Sequence, residues 1–220
     1  MKNNLSEYDK ERLKAIYSPE IVGVPHSNAR REMMIMPDGE IREYGTIYKT
    51  KKDIGRNVYI ASRDCGLSWK EYEAPKGCLG ASVYDPKSQR YITIKPVQNE
   101  GTFFFSGTDP NDVSPEKIMI TDKVLCDVYQ PKLSLDGSYW YATSHYSYIE
   151  GDKAHYSPVF MKSYDLKEWK AIFLNPTPRH EPVWPDLDIR WENNGAEPVV
   201  EQIDGALLMI ARTAQNYFWK

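Results

Sequence analysis

The chain has 220 residues and a mass of 25.5 kDa, enough for one large domain or two small ones. Hydrophobic residues make up 41% and charged residues 27%, a balance that supports a buried core and excludes a disordered tail. Lys and Arg number 28 against 31 Asp and Glu, a net charge of −3, so the basic face of a nucleic-acid-binding protein is missing. No apolar run approaches the roughly 18–20 residues that cross a bilayer. Residues 1–7 carry no apolar stretch of the secretory-signal kind. Neither a nucleic acid nor a membrane is expected as a partner.

One helix is expected, over residues 5–17. Leu5, Tyr8, Leu13, Ile16 and Tyr17 fall near one stripe, Ser6 is a cap, and Ser18-Pro19 ends it. Beyond Pro25 the pattern is strand–turn–strand throughout. A strand over 31–36 runs into the turn Pro37-Asp38-Gly39-Glu40 and returns over 41–48; residues 57–62 alternate with period two. Strands over 81–84 and 90–95 flank Asp85-Pro86-Lys87-Ser88. Strands over 130–135 and 139–144 flank Asp136-Gly137, and 206–211 follows Asp204-Gly205. Six Trp, 16 Tyr and 6 Phe suit many short pleated strands, with 13 Gly and 15 Pro as punctuation. Cys65, Cys78 and Cys126 form no CxxC pair and have no His at ligand spacing. They read as three ordinary thiols, with no metal site.

The hairpins recur. Ser62-Arg63-Asp64-Cys65-Gly66-Leu67-Ser68-Trp69 fits the pattern S-x-D-x-G-x-x-W, and Ser163-Tyr164-Asp165-Leu166-Lys167-Glu168-Trp169 is a copy one position shorter, without the Gly. Ser106-Gly107-Thr108-Asp109 is a weaker echo, and all three follow apolar strands. The spacing has a physical reason. Ser62 and Asp64 can bond backbone groups across a tight turn, Gly66 supplies a conformation that a Cβ penalises, and Trp69 swings back onto the strands. These four residues therefore read as a folding device, and Asp64 is given no catalytic role. A repeating four-stranded unit of about 40–50 residues is what one propeller blade requires. The expected organisation is a lead-in over 1–26 and a partial propeller over 27–220, with blades at about 27–75, 76–122, 123–174 and 175–220.

The motif at Ser62, Asp64, Gly66 and Trp69 is the Asp-box, or BNR repeat, and the chain resembles the N-terminal portion of a sialidase-superfamily protein. That resemblance implies an all-β fold: antiparallel four-stranded blades of a six-bladed β-propeller, incomplete here at about three and a half blades, with a short N-terminal helix. A second resemblance is Glu197-Pro198-Val199-Val200-Glu201-Gln202-Ile203-Asp204-Gly205-Ala206-Leu207-Leu208-Met209-Ile210-Ala211-Arg212. In sialidases a similar stretch carries the Glu that activates a catalytic tyrosine and the second of three arginines that bind the substrate carboxylate. Glu197 and Arg212 match these in type and approximate spacing. The residues alone say something similar, because a hairpin turning at Ile203-Asp204-Gly205 returns Arg212 to the end where Glu197 starts. They could equally pair only with each other.

The resemblance further implies a first carboxylate-binding arginine before the first blade, for which Arg30 is preferred over Arg31 although no Ile-Pro follows. It implies an acid/base Asp before the first Asp-box, and Asp53 stands in that region. Asp53 has an alternative as a turn residue beside two lysines, and Arg30 as a surface cation at a strand entrance. Glu181, Asp186 and Asp188 beside Trp184, Asp127, and His145 and His155 among Tyr146, Tyr148 and Tyr156 are weaker candidates. The nucleophilic tyrosine and third arginine of sialidases belong to later blades, so the expectation is a fragment, or a truncated reading frame, that needs the rest of the propeller for closure. The implied activity is hydrolysis of terminal acidic sugars, with no cofactor and no metal. Two alternatives stay open: a non-catalytic carbohydrate- or protein-binding propeller, and a propeller hydrolase or lyase for another acidic glycan. Sialidase relatives are often exported, which leaves localisation open.

Overall fold

The computed structural model describes residues 7, 33–47, 55–75, 77, 79–150, 153–174, 196–203 and 206–212. The helix expected over 5–17 lies outside them except for Glu7, which is helical. Among the described residues no helix is long and apolar enough to cross a membrane. Among the described residues everything else regular is strand. The first sheet is β1 (Met34–Ile35), β2 (Ile41–Ile47), β3 (Arg56–Ser62) and β4 (Lys70–Glu73), paired in that order. The second is β5 (Val83–Asp85), β6 (Arg90–Val97), β7 (Gly101–Gly107) and β8 (Glu116–Thr121). The third is β9 (Lys132–Leu133), β10 (Trp140–Glu150), β11 (Lys153–Ser163) and β12 (Trp169–Phe173). A two-stranded sheet, β13 (Ala196–Ile203) and β14 (Ala206–Arg212), follows. All pairings are antiparallel, and each sheet is a meander in sequence order. The described residues are all-β, in antiparallel four-stranded meanders as the recurring hairpins implied, and each meander is referred to as a blade.

The core lies between the sheets. β7 reads Gly-Thr-Phe-Phe-Phe-Ser-Gly and is buried along its whole length. Successive side chains of a strand point to opposite faces, and the three phenylalanines divide accordingly. Phe103 and Phe105 join Met34, Met36, Ala81 and Val113 against the first blade. Phe104 joins Ile92, Ile94, Trp140, Val159, Met161 and Trp169 against the third. The second blade is therefore a filling between two neighbours, and its middle strand needs apolar residues on both faces.

The inner strands are shorter than the sequence pattern suggests. The strand read over 130–135 pairs only as Lys132–Leu133. Pro131 lacks an N–H for the ladder, and the Ser134 hydroxyl diverts backbone: it accepts from the Ser138 and Tyr139 amides, each at 3.0 Å, and donates to Asp136 at 2.7 Å. Ser134-Leu135-Asp136-Gly137 thus builds at a first hairpin turn the same kind of Ser–Asp bonding as the turn at residues 62–69. The second and third strands of this blade instead run 11 residues each, well past the Ser144 end read from the pattern.

The turn at residues 62–69 joins β3 to β4. Ser62 Oγ donates to Asp64 at 2.8 Å and accepts the Gly66 amide at 2.8 Å; Asp64 accepts the Ser68 amide at 2.8 Å and its hydroxyl at 2.5 Å. Cys65 and Gly66 both have left-handed backbone, φ 57° and 89°, and the Trp69 indole donates to the Gly66 carbonyl at 3.1 Å. The turn at residues 163–169 occupies the same place between β11 and β12, with Ser163 accepting the Leu166 amide and Asp165 accepting two more. One residue shorter, it offers no carbonyl to its tryptophan. Trp169 is 8% exposed and packs on Phe104, and its indole nitrogen finds no partner among the described residues. The echo at Ser106 keeps the position between third and fourth strands but not the bonds, because Ser106 donates to Glu116 and accepts from Arg90.

Two outcomes are expected. Phe104→Ala should cost about 3–5 kcal/mol in urea unfolding, since a 1% exposed ring between two sheets leaves a cavity. The second concerns Asp64, whose carboxyl is held down to about 2, from an ordinary 3.8, by the Ser68 hydroxyl and amide and then the Ser62 hydroxyl. A depressed folded value adds stability that is complete above the unfolded value and is lost as pH falls through the folded one. The melting-temperature gap between the natural chain and Asp64→Asn should be widest above about pH 4 and should close towards pH 2. A gap that does not change with pH would disprove it.

Candidate functional site

The starts of the first strands converge. The Gln130 side-chain amide, just ahead of β9, donates to the Met33 carbonyl ahead of β1 at 3.3 Å and to the Ser82 carbonyl ahead of β5. One side chain therefore ties three blades together at one end. In a four-stranded meander this end also receives the connection between second and third strands, while the turns at residues 62–69 and 163–169 lie at the opposite end. Sequence spacing gives no sign of Gln130, whose partner Met33 is 97 residues away.

The fourth sheet begins at the same end. Ala196 pairs with Arg212, and the register then jumps to Val199 with Ile210. Glu197 and Pro198 fall in this bulge. A proline cannot donate to a ladder and is at home in a bulge, and here it is fully buried. Glu197 has φ 50°, a left-handed conformation uncommon for a residue with a side chain and costing about 1–3 kcal/mol. The backbone thus brings Glu197 and Arg212 to neighbouring positions at one end of the hairpin.

The third blade holds this bulge from the side. His145 Nδ1 accepts the Glu197 amide at 3.3 Å, and the Thr143 hydroxyl donates to the Pro198 carbonyl at 2.5 Å. Further along, Lys132 Nζ donates to the Val200 carbonyl at 3.5 Å and pairs with the Glu201 carboxylate, and Gln202 accepts the Leu135 amide at 2.7 Å. His145 is 4% exposed. Its backbone exchanges two hydrogen bonds with Cys126, at 2.7 and 3.2 Å, and its ring lies 5.5 Å from that of Tyr156. Asp127, the residue after Cys126, has φ 45°. Two acidic residues in left-handed backbone thus flank the strand that carries His145.

A cleft of about 190 Å³ continues from the bulge between the third blade and β13, lined by Tyr129, Gln130, Lys132, Tyr141, Thr143 and Val199 among others. Its polar groups are largely committed. Gln130 serves the first two blades, Lys132 serves β13, and burial, then the Glu201 charge, raises the Tyr141 phenol. Among the described residues no three His, Cys, Asp or Glu side chains are grouped to hold a metal ion.

Arg30 and Asp53 lie outside the described residues, as do Arg31, Glu181, Trp184, Asp186 and Asp188. Arg30 is three residues before Met33, and Asp53 belongs to the segment that leaves β2 at Ile47 and re-enters β3 at Arg56. Ser62, Asp64, Gly66 and Trp69 are at the opposite end from Glu197. His145 takes part in the site through a contact spanning 52 residues, which no local pattern announces.

No protein-family model and no curated protein sequence matches this chain. Among solved structures it is similar to a mutant of the Bombyx mori GH32 beta-fructofuranosidase in complex with sucrose, at 14% identity and a TM-score of 0.49, covering 94% of this chain and 48% of that one. A structure described as a glycoside hydrolase gives 14% identity and a TM-score of 0.48, covering 94% and 74%. A BT0996 RGII complex gives 14% and 0.46, covering 91% and 73%. This chain thus spans about half the length of the Bombyx mori enzyme. Likenesses of this degree assign no residue a role.

Thr143→Val should leave the buried Pro198 carbonyl without its donor and cost about 1–3 kcal/mol. Amide exchange within β13 and β14 should accelerate while exchange in β6 and β7 keeps its natural rate. Equal acceleration in all four strands would show that Thr143 does not anchor the hairpin specifically.

Proposed function

We propose that this chain is part of a sialidase-like glycoside hydrolase acting on terminal acidic sugars. The observation that carries the reading is the pairing of Ala196 with Arg212 beside the Glu197 bulge. A cation and a carboxylate belong to one strand end, where the first strands of the other blades also begin. A guanidinium fork matches a sugar carboxylate with two parallel hydrogen bonds, a geometry that a lysine does not reproduce. The division into a lead-in over 1–26 and blades over about 27–75, 76–122, 123–174 and 175–220 is part of the same proposal.

In this reading Arg212 and Arg30 hold the substrate carboxylate. Asp53 protonates the departing glycosidic oxygen, and a tyrosine from further blades attacks the anomeric carbon. Glu197 accepts the phenol proton, and water then hydrolyses the covalent glycosyl–tyrosine. The residues of this chain supply binding and proton transfer, not the nucleophile.

The carboxylate clamp is tested by titrating the chain with free sialic acid, its methyl ester and a uronic acid, with chemical shifts as readout. Binding of the free acid but not the ester is expected. Arg212→Ala should weaken it roughly tenfold to a hundredfold, the range for hydrogen bonds to a charged group. Unchanged binding in that variant would reject the clamp, and preference for the uronic acid would redirect the proposal to another acidic glycan. A full reading frame that binds sialosides without hydrolysing a fluorogenic one would leave a binding module in place of an enzyme.

A further inference from the structure

We propose that His145 is a positioning residue for Glu197: its buried imidazole, reaching across the boundary between third and fourth blades, holds the Glu197 peptide in its left-handed conformation. The inference rests on the reading of Glu197 as a functional carboxylate and adds a residue to it.

The register is the starting point. Because the ladder jumps from Ala196 to Val199, the Glu197–Pro198 unit stands outside the normal pairing with β14. Pro198 has no N–H, but the Glu197 N–H and the Pro198 C=O still need partners, since a buried backbone group left unpaired is costly. Both partners come from β10, and they are two residues apart. His145 accepts the Glu197 N–H, and Thr143 donates to the Pro198 carbonyl. Residues two apart on a strand share a face, so β10 grips the bulge at its two ends.

His145 is itself immobilised. Its backbone bonds twice to Cys126, the neighbouring Ser144 hydroxyl donates to the Cys126 carbonyl at 2.5 Å, and Tyr156 lies against its ring. A side chain fixed on several sides is suited to hold another group in place. The direction of the bond also fixes its chemistry. Nδ1 accepts, so it carries no proton, and the neutral ring has its N–H on Nε2. An imidazolium would present N–H to N–H and lose the contact.

The test uses the whole chain labelled with ¹⁵N and ¹³C. The His145 ring nitrogens should show an unprotonated Nδ1 and a protonated Nε2 at neutral pH. His145→Leu should speed Glu197 amide exchange about tenfold. His145→Asn, which restores an acceptor, should recover much of the lost protection. Exchange at Ile92 and Val159 should stay at its natural rate, which separates positioning from general loosening. A protonated Nδ1 in the natural chain, or unchanged Glu197 exchange in His145→Leu, would overturn the proposal. A positive result in a chain that binds no acidic sugar would support the positioning role and reject the functional reading of Glu197 separately.

Discussion

A sheet with large apolar side chains on both faces must be covered twice, and the rest of this architecture follows from that requirement. β7 states it most plainly, with Phe103 and Phe105 on one face and Phe104 on the other. Burying each such ring is worth about 1.5–3 kcal/mol, and only neighbouring sheets supply the apolar surface. Blades therefore stack face to face and no single blade has a private core. In the first blade Tyr44, Tyr59 and Tyr72 form a ladder across three strands, and Arg42 lies 4.4 Å from the Tyr59 ring. Burial pushes the Tyr44 phenol up to about 12 even though Arg42 donates to it.

Stacking antiparallel meanders separates the molecule into two ends with different chemistry. One end holds the turns between first and second and between third and fourth strands, where Ser–Asp bonding stabilises backbone locally. The Asp64 and Asp136 carboxylates are spent there on backbone amides and hydroxyls, which lowers both to about 2 and leaves them poor candidates for proton transfer. The other end collects the starts of the first strands, and its polar groups reach between blades. Gln130 reaches the first and second blades, and His145 and Thr143 reach the fourth sheet. Groups from distant parts of the chain converge at this second end.

Glu197 is where the regular pattern is broken. A bulge, a buried proline and a left-handed glutamate coincide within two residues. Strain of this kind persists only when the surroundings over-determine it, and here they do: β13 is bonded to the third blade at Glu197, Pro198, Val200, Glu201 and Gln202. One face of the neighbouring blade thus fixes the backbone that presents Glu197, while β14 fixes where Arg212 stands relative to it.

The all-β class, the recurring hairpins and the kind of turn that joins third and fourth strands were legible in the sequence, because each depends on residues close together in the chain. Ser62, Asp64 and Gly66 bond one another within four positions, and alternation sets which side chains face each neighbour. Glu197 and Arg212 were legible as a pair for the same reason, since a single tight hairpin relates them. The remaining features wait on the packing of whole sheets. That Trp169 packs on Phe104 of the second blade follows from how whole sheets stack. That Gln130 clasps three blades, and that His145 meets Glu197 across 52 residues, follows from how the blades stack. Such contacts join residues from different blades, and no spacing along the chain encodes the distance between two blades.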